Sequence, residues 1–234
     1  MRTIDLFAGI GGIRQGFSKV FDLDVVFSSE IDKFAQQSYF LNYKELPAGD
    51  ITKIKEEDIP QHDLLLAGFP CQAFSNAGLK RGFEDIRGTL FFDVARIIKY
   101  HKPKIVFLEN VKGLLSHNKG ETFKTILNVL EELEYKVFYK VLNAKDFGVP
   151  QNRERVYIVC FREDIDFEFP VGDKKSKVGD ILDKVIDSKT IISDRLWEGH
   201  QRRLAEHKEK GNGFGYRIFD EESEYTSTLS ARYY

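Results

Sequence analysis

A cysteine in a loop is the first residue of this chain that could do chemistry. Cys71 follows a short apolar run within Gly68-Phe69-Pro70-Cys71-Gln72, where Pro70 stiffens the turn. The carboxyl ends of parallel strands border the ligand crevice of open α/β sheets, so a thiolate at this place could act as a nucleophile. A lone cysteine is more often a small buried apolar residue, an interpretation that suits Cys160. Position alone leaves both interpretations of Cys71 open.

A carboxylate and two guanidinium groups follow or begin other predicted strands. Glu109 comes directly after the apolar run Ile105–Leu108. Arg153 and Arg155 alternate with Gln151 at the start of the last predicted strand, so the three side chains are expected on one face. A Glu–Arg ion pair at the rim of the sheet is the simpler interpretation of each residue taken singly. Together with the thiol, the groups indicate a catalytic site around one crevice.

A glycine-rich turn near the N-terminus predicts a nucleoside-binding site. Phe7–Gly12 lies between a predicted strand and a predicted helix, which presents backbone N–H groups to a ligand. Glu30 stands where a carboxylate could bind ribose hydroxyls, and Asp50 could accept from an adenine amino group. The third glycine of a dinucleotide fingerprint would fall at Arg14, so S-adenosylmethionine fits better than NAD. A tight turn without a ligand, flanked by solvated carboxylates, is the alternative.

Alternating strands and helices must position these groups. We predict strands over Thr3–Leu6, Asp24–Ser28, Leu46–Ile51, Asp63–Gly68, Lys104–Glu109, Val137–Asn143 and Arg155–Phe161. We predict helices over Ile13–Phe21, from after Glu30 to about Asn42, and over Leu90–Tyr100 and Glu121–Leu133. Strands separated by helices of this length indicate an α/β fold with a doubly wound, mostly parallel sheet. The long loop from Phe69 to Gly88 could close over a substrate.

Composition limits the class of protein. Hydrophobic residues make up 42% and charged residues 31%, which is typical of a globular chain and excludes wholesale disorder. No apolar run could span a bilayer, so no membrane partner is expected. The two cysteines predict a reducing, cytoplasmic location, and no metal-ligand spacing is present, so no metal is expected. The net charge of −2 neither indicates nor excludes nucleic acid.

The alternating pattern stops after about Phe161, which predicts a domain boundary. We expect a catalytic and cofactor-binding domain over residues 1–165 and a charged linker over residues 166–192. Residues 193–234 are rich in Arg, Glu and Gly with scattered aromatic residues, and we expect them to form part of a target-recognition region.

Five ordered segments of the chain resemble the cytosine-C5 DNA methyltransferases of bacterial restriction–modification systems. They are Asp5–Gly12, Gly68–Ser75, Arg87–Phe92, Glu109–Val111 and Gln151–Arg155. The resemblance implies a Rossmann-like methyltransferase fold, S-adenosyl-L-methionine as cofactor and double-stranded DNA as partner.

For the catalytic residues, the resemblance implies that the Cys71 thiolate adds to C6 of cytosine. Glu109 would bond N3 and the exocyclic amine, Arg155 would hold the base O2, and Arg153 would help to position Cys71 and the base. Addition at C6 makes C5 nucleophilic, so C5 can take a methyl group before its proton is lost and the thiol is eliminated. The target base would have to be flipped out of the duplex.

The resemblance also implies binding residues. The cofactor would contact Phe7, Gly9, Gly11, Gly12, Glu30, Asp50, Ile51, Pro70 and Leu90. DNA would contact Gln72, Ser75, Arg81, Arg87 and Gln151.

The C-terminal end departs from the family, whose members continue through a recognition domain and two further motifs that complete the cofactor pocket. Residues 211–216 and 228–234 are similar to those of enzymes that modify CC-starting sites such as CCGG or CCWGG. The chain is therefore expected to be the N-terminal catalytic part, with a separate C-terminal fragment or subunit as a partner. A catalytically incompetent fragment, a DNA-binding subunit of a split enzyme and an RNA cytosine methyltransferase are the alternatives.

Overall fold

The computed structural model describes residues 1–70, 90–211 and 215–228. The chain divides into two compact units. The first unit comprises Met1–Leu142 and Glu154–Val171, and the second comprises Asn143–Arg153 and Gly172–Tyr234. The first unit ends at Val171, six residues after the end of the catalytic domain expected from the sequence, at residue 165. Residues Asn143–Arg153 were expected in that domain but belong to the second unit.

The described elements alternate between strands and helices along most of the chain. The strands are β1 Arg2–Leu6, β2 Asp24–Ser29, β3 Leu64–Ala67, β4 Ile105–Val111, β5 Lys136–Asn143, β6 Gln151–Asn152, β7 Glu154–Phe161 and β8 Thr226–Ser227. The α-helices are α1 Gly12–Ser18, α2 Lys33–Tyr43, α3 Leu90–His101, α4 Glu121–Glu132 and α5 Asp194–Glu209. Short 3₁₀ helices include Ile51–Lys53 and Glu56–Asp58.

In the described residues, a six-stranded sheet in the order β2-β1-β3-β4-β7-β5 forms the frame of the first unit. Strands β1, β2, β3 and β4 pair in parallel, whereas β7 runs antiparallel to β4. The strand order reverses between β1 and β3, which makes the carboxyl ends of these strands the switch point where open α/β sheets bind ligands. The predicted mostly parallel α/β fold is confirmed.

Helices pack on both faces of the sheet, so a central strand such as β3 is apolar along its whole length. All four residues of β3, Leu64–Ala67, are buried. Val106 and Leu108 of β4 point into the core that α3 and α4 complete. Phe107 faces the other way and packs edge-on against Phe17 of α1, with 4.9 Å between ring centroids. This two-sided burial explains the continuous apolar runs in the sequence.

One predicted strand, Leu46–Ile51, is wrong. Residues 46–51 form a single bridge, at Ala48, rather than a strand. Asp50 instead caps the 3₁₀ helix Ile51–Lys53, and its carboxylate accepts from the Thr52 backbone N–H at 3.1 Å. Such a local side-chain bond competes with strand pairing.

The predicted alternation of Gln151, Arg153 and Arg155 along one strand is also wrong. The strand is interrupted at Arg153, because the Arg153 N–H donates a hydrogen bond to the nearby Gln151 carbonyl at 3.0 Å instead of to the backbone of a neighbouring strand. Gln151 lies in β6, which pairs with β8 in the second unit, whereas Arg155 lies in β7 of the first. The shared-face argument therefore does not apply to these three side chains.

The second unit contains β6, β8 and the exposed helix α5. Ser193 caps α5, and the ring of Trp197 in this helix packs against that of Tyr216 at a tilt of 57°, with 4.6 Å between ring centroids. The segment expected to be a linker, residues 166–192, contains the short 3₁₀ helices Val178–Asp180 and Ser188–Thr190. Within the described ranges, no helix is long and apolar enough to cross a membrane, and no three His, Cys, Asp or Glu side chains are grouped to hold a metal.

A buried histidine lies at the amino end of β3. His62 is 2% exposed, and its Nδ1–H donates to the Pro60 carbonyl at 2.8 Å. Its Nε2 has no hydrogen-bond partner among the described residues, and its ring lies 4.7 Å from that of His101. Burial lowers the pKa of His62 to about 4, since a proton on Nε2 would be an unpaired buried charge.

We expect the buried, neutral His62 to lower the free energy of unfolding in mild acid. The unfolded chain takes up this proton near pH 6.5, so stability is full above that pH and falls by about 1.4 kcal/mol per unit toward the folded pKa. Urea unfolding at about pH 7.5 and about pH 5 measures the effect, with His62→Gln as the control that does not titrate. The free energy of unfolding of the wild type, relative to that of His62→Gln, should fall by about 2 kcal/mol from the higher to the lower pH. An advantage that does not depend on pH would contradict this account.

Candidate active site

A cavity of about 280 Å³ lies in the first unit at the carboxyl ends of β1, β2 and β3. We call it the strand-end cavity. Its described lining residues are Phe7, Ser29, Glu30, Ile31, Gly49, Asp50, Ile51, Gly68, Pro70 and Leu90. Six of the nine residues predicted to contact a cofactor are among them, namely Phe7, Glu30, Asp50, Ile51, Pro70 and Leu90. The structure therefore brings together residues that lie up to 83 positions apart in the sequence.

The other three predicted residues, Gly9, Gly11 and Gly12, belong to the turn that follows β1. Gly11 has a φ of +88°, and a Cβ atom there would lie 2.2 Å from Cε2 of Tyr43, so only glycine fits. The Tyr43 hydroxyl donates to the Gly11 carbonyl at 2.8 Å. Phe7, at the start of the turn, also has a left-handed backbone, with a φ of +53°. Such strain in a non-glycine residue is found most often at functional sites.

Glu30 joins the glycine-rich turn to helix α2. One carboxylate oxygen accepts from Gly9 N–H and the other from Asp32 N–H, both at 2.8 Å. Asp32 in turn caps α2 by accepting from Ala35 N–H. The carboxylate is therefore held in a fixed orientation at the cavity wall while each oxygen keeps a second lone pair for a ligand.

Asp50 presents a second carboxylate to the strand-end cavity. Hydrogen bonds from the Thr52 hydroxyl, at 2.7 Å, and from the Thr52 backbone lower the pKa of Asp50. The group thus stays ionised at neutral pH and acts as an acceptor only. Glu30 and Asp50 give the cavity two acceptors beside the apolar walls of Phe7, Ile51 and Leu90.

Asp5 lies beneath the same turn and is 1% exposed. Burial raises the pKa of Asp5 to about 7, although the nearby Arg14 guanidinium opposes the shift. Arg14 itself forms a bidentate pair with Glu45 and lies over the Tyr43 ring, 4.1 Å from its centroid. The residue that replaces the third glycine of a dinucleotide fingerprint therefore fastens α1 to α2.

Glu109 and Arg155 form an ion pair at the end of β4. Arg155 Nε lies 3.0 Å from Glu109 Oε1, and the two side chains are only 16% and 21% exposed. Antiparallel pairing brings the start of β7 to the end of β4, with Arg155 opposite Val111. A Cβ atom on Gly68 would lie 3.7 Å from Glu109 Oε2, so the carboxylate lies beside the end of β3. The pair and the cavity therefore share the Gly68 end of β3.

Asn110 lies beside Glu109 at the end of β4, and no role for it follows from the sequence pattern. It is 3% exposed, and its Nδ2 donates to the Phe69 carbonyl at 2.8 Å. Its Oδ1 accepts from Val111 N–H, also at 2.8 Å. Asn110 thus fixes the backbone two residues before Cys71. Its place between Glu109 and the strand end was the only sequence signal for such a role.

The remaining predicted residues lie either outside the described residues or in the second unit. Cys71, Gln72, Ser75, Arg81 and Arg87 lie outside the described residues. Gln151 and Arg153 belong to the second unit, where Arg153 N–H donates to Asn143 Oδ1 at 3.0 Å.

The family model for C-5 cytosine-specific DNA methylases matches residues 1–234. The chain belongs to this family. The resemblance noted in the sequence is thereby confirmed.

Two members of the C-5 cytosine-specific DNA methylase family illustrate how much of their length the chain spans. The Type II methyltransferase M1.ScrFI of Lactococcus lactis subsp. cremoris is 60% identical over 239 residues, which cover 100% of this chain and 61% of that protein. The Type II methyltransferase M.SsoII of Shigella sonnei is also 60% identical, with 100% and 63% covered. The chain thus spans less than two thirds of either relative.

A solved structure supports the fold. The S. pombe Dnmt2 methyltransferase aligns with 100% of this chain and 72% of its own, with a TM-score of 0.77 and 18% identity. At this identity the likeness shows the methyltransferase fold alone.

We expect Asn110→Ala to destabilise the first unit by about 2 kcal/mol, because the Phe69 carbonyl and Val111 N–H lose buried partners. Urea unfolding measures the loss, and hydrogen–deuterium exchange should rise in the peptide that contains Phe69. Asn128→Ala, at an exposed position of α4, is the matched control and should change stability by less than about 0.5 kcal/mol. Equal stability of the two variants would exclude the anchoring role of Asn110.

Proposed function

We propose that this chain is the catalytic part of a DNA (cytosine-5-)-methyltransferase. The observation that carries the proposal is the Glu109–Arg155 pair, half-enclosed beside the end of β3, next to a cavity with two fixed carboxylates. A carboxylate and a guanidinium side by side match the hydrogen-bonding edge of a cytosine, which offers N3, an amine and O2. Family membership favours this substrate over other bases.

The proposed cofactor is S-adenosyl-L-methionine, and the strand-end cavity fits it. Glu30 would accept from the ribose hydroxyls, Asp50 from the adenine amine, and Phe7, Ile51 and Leu90 would pack on the apolar parts. Ser29 Oγ at this cavity is buried and has no partner within the described residues, a polar atom that a ligand could satisfy. The cofactor supplies an electrophilic methyl group when bound.

In the proposed mechanism the Cys71 thiolate forms a bond to C6 of a flipped cytosine. Glu109 holds the proton at N3 that neutralises the ring as the thiolate adds, and Arg155 binds the base O2. The electron pair placed at C5 would then form the bond to the methyl group, whose bond to the sulfonium sulfur would break to leave a neutral thioether. Loss of the C5 proton to a base, elimination of the Cys71 thiolate and return of the N3 proton to Glu109 would restore the neutral ring. Covalent addition is needed because C5 of the unmodified ring is a poor nucleophile.

The proposed partners are double-stranded DNA and a further C-terminal polypeptide. Support for the second comes from exposed apolar side chains of the first unit. Ile10, Ile31 and Phe34 are 60%, 68% and 78% exposed, and Ile31 lines the cavity. We propose that additional chain covers this apolar surface, and that the complete protein acts in the cytoplasm beside a restriction enzyme.

We predict that Cys71→Ser abolishes methyl transfer and leaves DNA binding intact, because oxygen is a far poorer nucleophile toward C6. The readout is a covalent complex, formed in the presence of S-adenosylmethionine and the C-terminal part of a relative, with DNA that contains 5-fluorocytosine, in which fluorine at C5 blocks elimination. Cys160→Ser is the matched control. Cys160 is fully buried in β7 and burial raises its pKa, so its thiol is inert and the variant should form the complex. A covalent complex formed by Cys71→Ser would overturn the mechanism.

We also predict that the 234-residue chain alone is a poor methyltransferase. A misplaced base or methyl donor lowers the rate of such a reaction by a factor on the order of 100. The test is a methyl-transfer assay on DNA of mixed sequence, with the chain alone and with the C-terminal part of a relative added. Activity should appear on addition. Robust, site-specific methylation by the chain alone would contradict the need for a further polypeptide.

A further inference from the structure

Helix α3 contributes to the strand-end cavity and also holds the segment on which another part of the cavity wall is built. Leu90, the first residue of α3, lines the cavity together with Asp50 and Ile51. Asp50 caps the 3₁₀ helix Ile51–Lys53, so the orientation of its carboxylate depends on where that short helix lies. A side chain that holds this 3₁₀ helix against α3 therefore sets the position of Asp50 and Ile51 relative to Leu90.

Arg96 makes this attachment. Its Nη2 donates to the Ile51 and Ile54 carbonyls, both at 2.8 Å. Its Nη1 donates to Glu56 Oε2 at 2.7 Å, and its Nε donates to Asp93 Oδ1 at 3.0 Å. Every nitrogen of the guanidinium is thus engaged, and the side chain is only 24% exposed. The planar fork of an arginine can span these acceptors at once, whereas a lysine ammonium cannot.

We propose that Arg96 is a positioning residue for the adenosyl end of the strand-end cavity. The proposal rests on the cofactor assignment made above. Arg96 does not line the cavity. It acts through two backbone carbonyls of the segment that carries Asp50 and Ile51, and Asp93 on its own helix orients the guanidinium. Without it the two carbonyls lose their charged donor, and the acceptor for the adenine amine is no longer held at a fixed distance from Leu90.

Helix α3 also has an attachment to the next 3₁₀ helix, Glu56–Asp58, and this second attachment serves as a matched control. The ring of His101, at the end of α3, bonds the Glu56 carbonyl through Nε2 at 2.8 Å, and Gln61 Nε2 donates to the His101 carbonyl at 3.0 Å. His101 follows Leu90 by 11 residues, which is about 16 Å along a helix. Loss of either attachment should destabilise the fold, but only the loss at Arg96 should disturb the cavity.

The test measures the affinity of the full chain for S-adenosylhomocysteine by calorimetry in the wild type, Arg96→Gln, Arg96→Lys and His101→Gln. Circular dichroism establishes that each variant is folded, and Arg96→Lys is the milder variant should Arg96→Gln unfold. We expect both Arg96 variants to bind at least about tenfold more weakly, as positioning losses do. His101→Gln should stay within about twofold of the wild type although it unfolds at lower urea concentration.

A second ligand separates positioning from a general loosening of the fold. Adenosine alone should lose affinity by the same factor as S-adenosylhomocysteine in the Arg96 variants, because the proposed effect lies at the adenosyl end. Unchanged affinity in folded Arg96→Lys, or an equal loss in His101→Gln, would overturn the role of Arg96. No binding of either ligand by the wild type would instead overturn the cofactor assignment on which this inference rests.

Discussion

The direction of strand β7 is the constraint on which the candidate site depends. The parallel strands β1 to β4 all end at one edge of the sheet, and a further parallel strand would have begun at the opposite edge. Because β7 is antiparallel to β4, its first residues lie at that edge, and Arg155 meets Glu109 at 3.0 Å. A buried carboxylate is costly without a partner, so the reversed strand supplies the charge that makes Glu109 tolerable beside Gly68. The same pairing places both groups beside the Gly68 end of β3, where the proposed mechanism needs them.

The cavity beside this pair is shaped mainly by backbone geometry. The turn after β1 is held by Glu30 through Gly9 N–H and by Tyr43 through the Gly11 carbonyl. The close approach of Tyr43 requires a glycine, and the left-handed backbone of Phe7 turns the chain at the cavity wall. On the far side, Arg96 holds the segment that carries Asp50. Helices α2 and α3 thus fix the two acceptors from outside the cavity, which suits a site that must present them without rearrangement.

Much of this arrangement could be predicted from the sequence, because buried parallel strands leave continuous apolar runs and the glycine-rich turn is local. The predicted strand over residues 46–51 is absent because Asp50 bonds the backbone and the hydroxyl of Thr52, two residues later. These local bonds compete with the pairing of a strand. The break at Arg153 depends on Asn143 and on pairing of β6 with β8, contacts between residues far apart in the chain. The roles of Asn110 and Arg96 could not be predicted for the same reason, because each depends on backbone carbonyls far away in the sequence, which carry no sequence signal.

The central claim is that the strand-end cavity binds the adenosyl group beside the Glu109–Arg155 pair. A crystal structure of the chain grown with saturating S-adenosylhomocysteine tests this most directly. The account predicts ligand density in the cavity, with the ribose hydroxyls on Glu30, the adenine amine on Asp50 and the sulfur toward the Gly68 end of β3. Ligand bound elsewhere in the first unit, with the cavity filled by water alone, would contradict the account.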